Sequence, residues 1–487
     1  GHRMTIRALA MPWAAPGDRV FSLRRDLLLT MALGEDPPGI PARADVMRGR
    51  ATAAETIDGG PVDRILSELA GRFRAVRVHA AAASISSARK RGYDYNAAEQ
   101  VTGVARNFLL RVPAGAPIGR IAQELAQIST VAWASPNYVV VTPFDSRREP
   151  AGLADPKDAQ AMKARTLIRA PEALRYEPGD AAVLVGLVDS GVAPRHPEIN
   201  TKLRAGYDTV QMGADGVGAG VELLGDHERT DHDPIDRFVG HGMGCAGIIG
   251  GLGVRMPPGL AGLAQIIPLR GLAAARVPGQ DNPIGIGAIS DLDAAVKLAV
   301  DLGAKIINMS FGTDDSALAP MSPKPHADVV RYALGHGCIL VAASGNNGRE
   351  TRYWPAAYEG VIAVGACDDG CRPSDFSTRG EHVALCAPGE RVLSCGLTGY
   401  SHVTGTSFAA PFVTAAIALL VAHGQRRAFP VDAAMAREVL VASAQPFRGV
   451  PPAGCGSGVL DAAAALHLLD AKIDQLLAED SGHIDDG

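Results

Sequence analysis

The stretch "AAVLVGLVDSG", residues 181–191, decides how the rest of the chain is read. It is a nearly unbroken apolar run that ends on an acid, Asp189, and is closed by Ser190 and Gly191. A short apolar run bounded by turn residues is a strand buried on both faces. Five more follow the same rhythm: "QIIPLRGL", "AKIINMSFG", "GCILVAASG", "GVIAVGAC" and "HVALCAPG". Helical patterns at 291–302, 328–335 and 407–423 alternate with them. Buried strands alternating with helices predict a doubly wound α/β fold, a mostly parallel sheet with helices on both faces. In such sheets, sites gather outside the carboxyl ends of the strands. The residues that end the runs are therefore the ones to weigh.

Upstream the pattern is different. "DLLLTMAL", "AVRVHA", "NFLLRVP" and "VAWASPNYVVV" read as strands. Two amphipathic helices fall between them, one carrying Val62, Ile65, Leu66, Leu69 and Phe73, the other Ile118, Ile121, Leu125 and Ile128. Strand-helix-strand-strand-helix-strand is the split βαβ order of a small α+β, ferredoxin-like domain. The expected division is a βαββαβ domain over 1–141 and an exposed, proline-broken linker over 142–160. A catalytic-size α/β domain then covers 161–470, and a short helix end with an acidic tail covers 471–487. Residues 43–56 are expected to be a loop.

The 487 residues carry a formal net charge of -5, with 47% hydrophobic and 20% charged residues. No basic run outweighs that charge, which argues against nucleic acid as a partner. No apolar run is long enough to predict a membrane span; the nearest, around 407–423, is interrupted by Pro411 and Thr414. "GHRM" reads as an added remnant ahead of Met4, with no apolar leader behind it. The expected location is cytoplasmic, or secreted if a leader is missing. Seven cysteines, an odd number, do not make a disulfide framework and are expected as reduced thiols.

Four residues stand at strand ends or helix starts. Asp189 ends the first strong strand. His241 opens a helix in "GHGMGCAGIIGG", whose glycines let that helix begin close against the sheet. Asn346 follows a strand in "SGNNG". Ser407 begins the apolar helix of "VTGTSFAAPFVTAAIALL". Each alone has an ordinary structural explanation as a turn former, a capped imidazole or an N-cap. Together they supply what a serine nucleophile needs: a base, a carboxylate to hold the base, and a donor for the oxyanion.

In the order Asp, His, Ser, the strings "GLVDSGV", "GHGMGCAGIIGG", "INMSFG", "VAASGNNG" and "GTSFAAPFV" resemble the subtilisin-like serine peptidase family over about residues 160–465. The resemblance implies Ser407 as nucleophile, His241 as base and then acid, Asp189 as its orienter and Asn346 as oxyanion donor. It also implies that the N-terminal domain is a propeptide, a chaperone and intramolecular inhibitor of a zymogen, whose tail near 141–145 lies in the substrate groove. Ser310, Phe311 and Gly312, with Ala343, Ser344 and Gly345, resemble the walls of the primary specificity pocket. Tyr353, in "RYWP", falls opposite them and leads us to expect a shallow pocket that prefers small residues.

The chain departs from the family after the catalytic His-Gly, where Met243 and Gly244 precede Cys245. Cys245 is expected near the triad, either as a packed core thiol or as one that thiol reagents could reach. "GGLGVRMPPGLAG" lacks the carboxylates of the family's calcium loop, so that site is expected to be absent. No cofactor is required for the chemistry. Calcium has weak candidates in Asp226, Asp231, Asp233 and Asp236. The expected function is a self-inhibited endopeptidase acting on peptides or proteins. The rivals are a dedicated intracellular processing peptidase, an acyl-transfer ligase or cyclase, and a non-catalytic scaffold.

Overall fold

The computed structural model describes residues 22–86, 94–142, 147–152, 155–213, 217, 220–277, 281–318 and 322–485. Its N-terminal part contains β1 (Ser22–Met31), α1 (Pro61–Leu69), β2 (Arg74–Arg77), β3 (Asn107–Arg111), α2 (Ile118–Ala126) and β4 (Val131–Val141). The strands lie in the order β2-β3-β1-β4, every neighbour antiparallel. Val62 and Leu66 of α1 and Ile118, Ile121 and Leu125 of α2 are buried against Leu27, Leu29, Phe108 and Leu110. The helical spacing of those apolar residues puts them on one face, and that face covers the sheet.

The sheet does not stop at β4. After β5 (Arg147–Ala151) and the strands β6 (Leu184–Asp189), β7 (Gln265–Arg270) and β8 (Ala273–Arg276) comes β9 (Ile284–Ala288), which pairs antiparallel with β4. The register is Val139↔Ala288, Val140↔Gly287 and Val141↔Ile286. β8 and the short strand Glu222–Leu224 extend the same sheet to seven strands. The N-terminal unit is therefore hydrogen-bonded into the rest of the chain.

The second sheet is the predicted parallel one. β10 (Ile306–Met309), β11 (Ile339–Ala343), β12 (Val361–Cys367) and β13 (Val383–Pro388) complete the order β13-β12-β11-β10-β6-β7, with Tyr207–Asp208 outside β7. Every pairing in it is parallel. α3 (His241–Gly250) and α4 (Ile289–Asp301) pack against it. The hairpin β14 (Val392–Cys395) and β15 (Tyr400–Thr404) leads into α5 (Thr406–Arg426). Residues Thr406 to Gly424 of α5 are all buried. Among the described residues α5 alone is long and apolar enough to cross a membrane, and it forms the core of this molecule.

Three expectations need correcting. Residues 142–160 are not only linker: Arg147–Ala151 is strand β5, paired with β15. The expected loop over 43–56 includes the helix Arg43–Met47, and Arg43 is 5% exposed because its guanidinium pairs with Asp291 at 2.7 Å. The boundary at 470 falls inside one 24-residue helix, Ala462–Asp485. All seven cysteines are free thiols.

Candidate active site

Asp189 is the last residue of β6 and is fully buried. Its backbone oxygen accepts from the N–H groups of Gly271 (2.9 Å) and Leu272 (3.2 Å). Its Oδ1 accepts from Ser190 N–H and lies 2.7 Å from His241 Nδ1. A carboxylate on Nδ1 fixes that nitrogen as the protonated one and leaves Nε2 as the acceptor. His241 Nε2 has no partner among the described residues.

The helix carrying His241 can start where it does because Gly242 has no side chain. A Cβ there would stand 2.3 Å from the Gly191 oxygen. A hydrogen-bond chain holds the two segments in register. Gly242 N–H donates to Ser190 Oγ, which donates to Asp236 Oδ2 (both 2.9 Å). Asp236 also accepts from Phe238, Val239 and Gly240 N–H. Sequence reasoning offered Asp236 as a metal ligand and missed this positioning role; an acid in a charged loop carries no signal that distinguishes the two.

Ser407 sits in the first turn of α5, where backbone N–H groups lack helical acceptors. Its carbonyl accepts from Ser310 Oγ (2.7 Å) and from the Cys245 thiol (3.3 Å). Among the described residues its Oγ has only a long contact, donating to the Ser310 oxygen at 3.4 Å. The Phe408 ring packs 5.1 Å from the imidazole of His241, so the start of α5 meets the start of α3. Cys245 has its sulfur within 4.8 Å of the Asp189 and His241 ligand atoms. Burial first, and then the Asp189 charge, push its thiol well above the ordinary value. A fully buried thiol is a packing group with little access for reagents, the first of the two expected readings.

Asn346 Oδ1 accepts from Thr406 N–H (2.9 Å) and Thr406 Oγ1 (2.7 Å). That fixes the amide orientation and aims Nδ2 elsewhere. Nδ2 is buried and unpartnered among the described residues. A buried, pre-aimed donor without an acceptor is what a developing oxyanion requires.

The proposed pocket walls divide. Gly312 and Gly345 both face the Tyr353 ring: a Cβ would lie 3.2 Å from it at Gly312 and 2.5 Å at Gly345. Ser310 turns its hydroxyl toward Ser407, accepting from Asn308, which in turn accepts from Thr414. Ser344 donates to the Thr378 oxygen. Phe311 and Ala343 are core residues. The side chains of Ser310, Phe311, Ala343 and Ser344 therefore hold the site together instead of facing a ligand.

Two of the four metal candidates come together, joined by one the sequence reading missed. Asp226 and Asp231 stand with Asp208, their oxygens within 4.8 Å. Burial raises Asp208 to about 7, against the opposing pull of Arg270. Arg270 Nη1 lies 2.8 Å from Asp208 and already supplies positive charge there. Asp233 is outside the group, and Asp236 is committed as described. The loop after α3 points N–H groups inward: Gly253, Val254 and Arg255 all donate to the buried Glu198 carboxylate, as does the Tyr400 hydroxyl. Those are donors around an anion, not oxygens around a cation.

Comparisons with known proteins identify the family. The Subtilase family model matches residues 180–464. A thermophilic serine proteinase of Bacillus sp. (strain AK1) is 34% identical over 252 residues, 51% of this chain and 54% of that protein. Thermitase of Thermoactinomyces vulgaris is 33% identical over 261 residues, 53% of this chain and 81% of that protein. The solved structure of the prenylagaramide maturation protease PagA is similar with a TM-score of 0.50 and 26% identity, covering 62% of this chain and 98% of that one. This chain thus spans about half the length of the first of these relatives and four fifths of the second.

Proposed function

The chain belongs to the subtilase family, a family of serine peptidases, and we propose that it is an endopeptidase made as a self-inhibited precursor. The observation that carries this reading is the pairing of a buried Asp189–His241 couple, whose Nε2 is free, with a serine at the start of α5 and a free Asn346 donor. In the proposed step, Ser407 Oγ turns from the Ser310 oxygen and attacks the scissile carbonyl as its proton passes to His241 Nε2. Asn346 Nδ2 and the Ser407 N–H stabilise the oxyanion. The imidazolium then gives its proton to the departing amine, and water repeats the sequence on the ester. Asp189 holds the imidazole in place throughout.

The N-terminal unit is read as a ferredoxin-like propeptide over about 1–141. Its last strand, β4, pairs with β9 on one side of the triad, and Thr142 N–H continues that ladder to the Gly285 oxygen (2.8 Å). The other end of the expected groove segment, 143–145, lies outside the described residues. Tyr353 against Gly312 and Gly345 supports a shallow pocket and a small residue before the cut. Similarity to a maturation protease favours a second, narrower reading, a processing peptidase dedicated to one precursor.

The test is labelling with a fluorophosphonate, followed by peptide mapping and a peptide-library profile. Label on Ser407, lost in His241→Ala, with cuts after Ala, Ser or Gly, supports the reading. No label would remove the enzyme, and cuts mainly after large aromatics would remove the shallow pocket.

A further inference from the structure

The small sheet beside Ser407 has a strand that does not belong to its hairpin. β14 and β15 pair antiparallel over four residues. β5 then adds five more pairs on the open side of β15, from Arg147↔Thr404 to Ala151↔Tyr400. Without β5, β15 would be a bare edge of unpaired N–H and C=O groups. β15 leads directly into Gly405, Thr406 and Ser407.

The other flank of the triad carries β4. Its partner β9 is packed onto the Gly271–Leu272 segment that donates to Asp189; a Cβ on Gly287 would stand 2.5 Å from the Gly271 oxygen. The chain runs from the β9 flank to the β15 flank. Residues ahead of a cut at Ser407 therefore take the place of the end of β4, and residues after it take the place of β5.

We propose that β15 is the docking strand for the five or so residues that follow the cut bond, and that Arg391 selects an acidic side chain among them. This deepens the peptidase reading and rests on it. The occupant in this structure is the chain's own Arg147–Ala151. Arg391 pairs with Glu149 of that strand, its ion-pair partner among the described residues. Its backbone N–H is anchored to Thr404 Oγ1 at 2.9 Å, and its φ of 47° holds a non-glycine residue in the left-handed region beside β15. Glu149, Arg391 and Thr404 also line one cavity of about 700 Å³, with room for a side chain other than the resident one. The other basic residue on its wall, Lys163, is already paired with Asp369 at 2.5 Å. Asp368 and Glu390 add negative charge to the same wall, so Arg391 is the cation there that loses its partner when Glu149 leaves with β5. Main-chain pairing supplies affinity, and the side-chain position supplies choice, as in other strand-addition modes.

The experiment follows self-cleavage of the full chain by intact mass at low salt, in wild type, Glu149→Gln, Glu149→Pro, Arg391→Glu and Glu149→Arg/Arg391→Glu. Glu149→Gln and Arg391→Glu are expected to slow the cut about 2- to 5-fold, the scale of an exposed ion pair. The double swap is expected to return to within about 2-fold of wild type. Glu149→Pro, which also removes an N–H from the edge strand, is expected to slow it on the order of 10-fold or more. Wild-type rates for Glu149→Pro would overturn the strand docking. A double swap as slow as its singles would overturn the role of Arg391. If no chain is cut although fluorophosphonate labels Ser407, this inference falls and the peptidase reading stands; if Ser407 is not labelled either, the peptidase reading falls first.

Discussion

At the residue scale, the site depends on side chains whose one half is committed and whose other half is free. Asn346 is the clearest case: its oxygen is tied to Thr406, so its nitrogen can point only outward. Asn346→Ala is expected to lower kcat by about 10²- to 10³-fold with little change in KM, because the donor acts on charge present only in the transition state. Steady-state kinetics on one peptide substrate checks this; an equal rise in KM at constant kcat would point to ground-state binding. The positions of Asp189, His241, Asn346 and Ser407 at strand ends and helix starts were legible, and the family's motif strings, more than those positions, singled them out. Ser310 was placed on a wall segment, but the inward turn of its hydroxyl was not legible, since nothing local to "MSFG" points it toward a carbonyl 97 residues away. Asp208 escaped notice for a similar reason: it meets Asp226 and Asp231 only through the fold.

At the scale of elements, the contact between the N-terminal unit and α4 sets buried charges beside the apolar packing of Val104, Tyr138 and Val140 in the same cluster as Ile289 and Leu292. Lys297 of α4 reaches Glu99 and Asp301, each at 2.7 Å, and the Ala80 oxygen at 3.0 Å. Its side chain is 2% exposed and that of Glu99 is fully buried. Arg43 and Asp291 form a second such pair. Breaking a buried pair from one side strands the other charge, at a cost of about 3–5 kcal/mol. Lys297→Met is thus expected to loosen the docked unit by that order, and Lys297→Met with Glu99→Gln to recover much of it. Chemical denaturation of the two variants beside wild type measures this; a single variant as stable as wild type would contradict it. None of this was visible in the sequence, where Arg43 and Glu99 look like ordinary surface charges. Strand β5 was hidden for a different reason. "RREPA" has neither apolar alternation nor β-branched residues, and the edge of β15 makes it a strand.

At the scale of the whole molecule, one continuous sheet joins an N-terminal unit to a subtilase, and the same chain then lies along the edge of the strand that leads into Ser407. The doubly wound order was readable from alternating apolar runs and helices, whereas the continuity across β4 and β9 was not, because strand pairing between distant segments leaves no local pattern. His79 lies in this interface, fully buried, with both ring nitrogens unpartnered among the described residues. Burial, then the charges of Lys297 and Arg43, hold it well below the ordinary value, with Asn107 opposing. Freed histidine takes its proton near about 6.5, so the undocked state holds more protons just below that pH. Docking stability from this group therefore falls as pH drops below about 6.5 and is level above it. The difference in stability between wild type and His79→Phe should be constant above that pH and shift against wild type below it; a constant difference down to pH 5 would refute the assignment. The central claim, a subtilase that meets its own N-terminal segment as its first substrate, is tested most directly by intact mass over time for wild type beside Ser407→Ala. The account predicts that wild type splits between residues 142 and 147 while the variant stays whole. Cleavage of both at the same rate would contradict it.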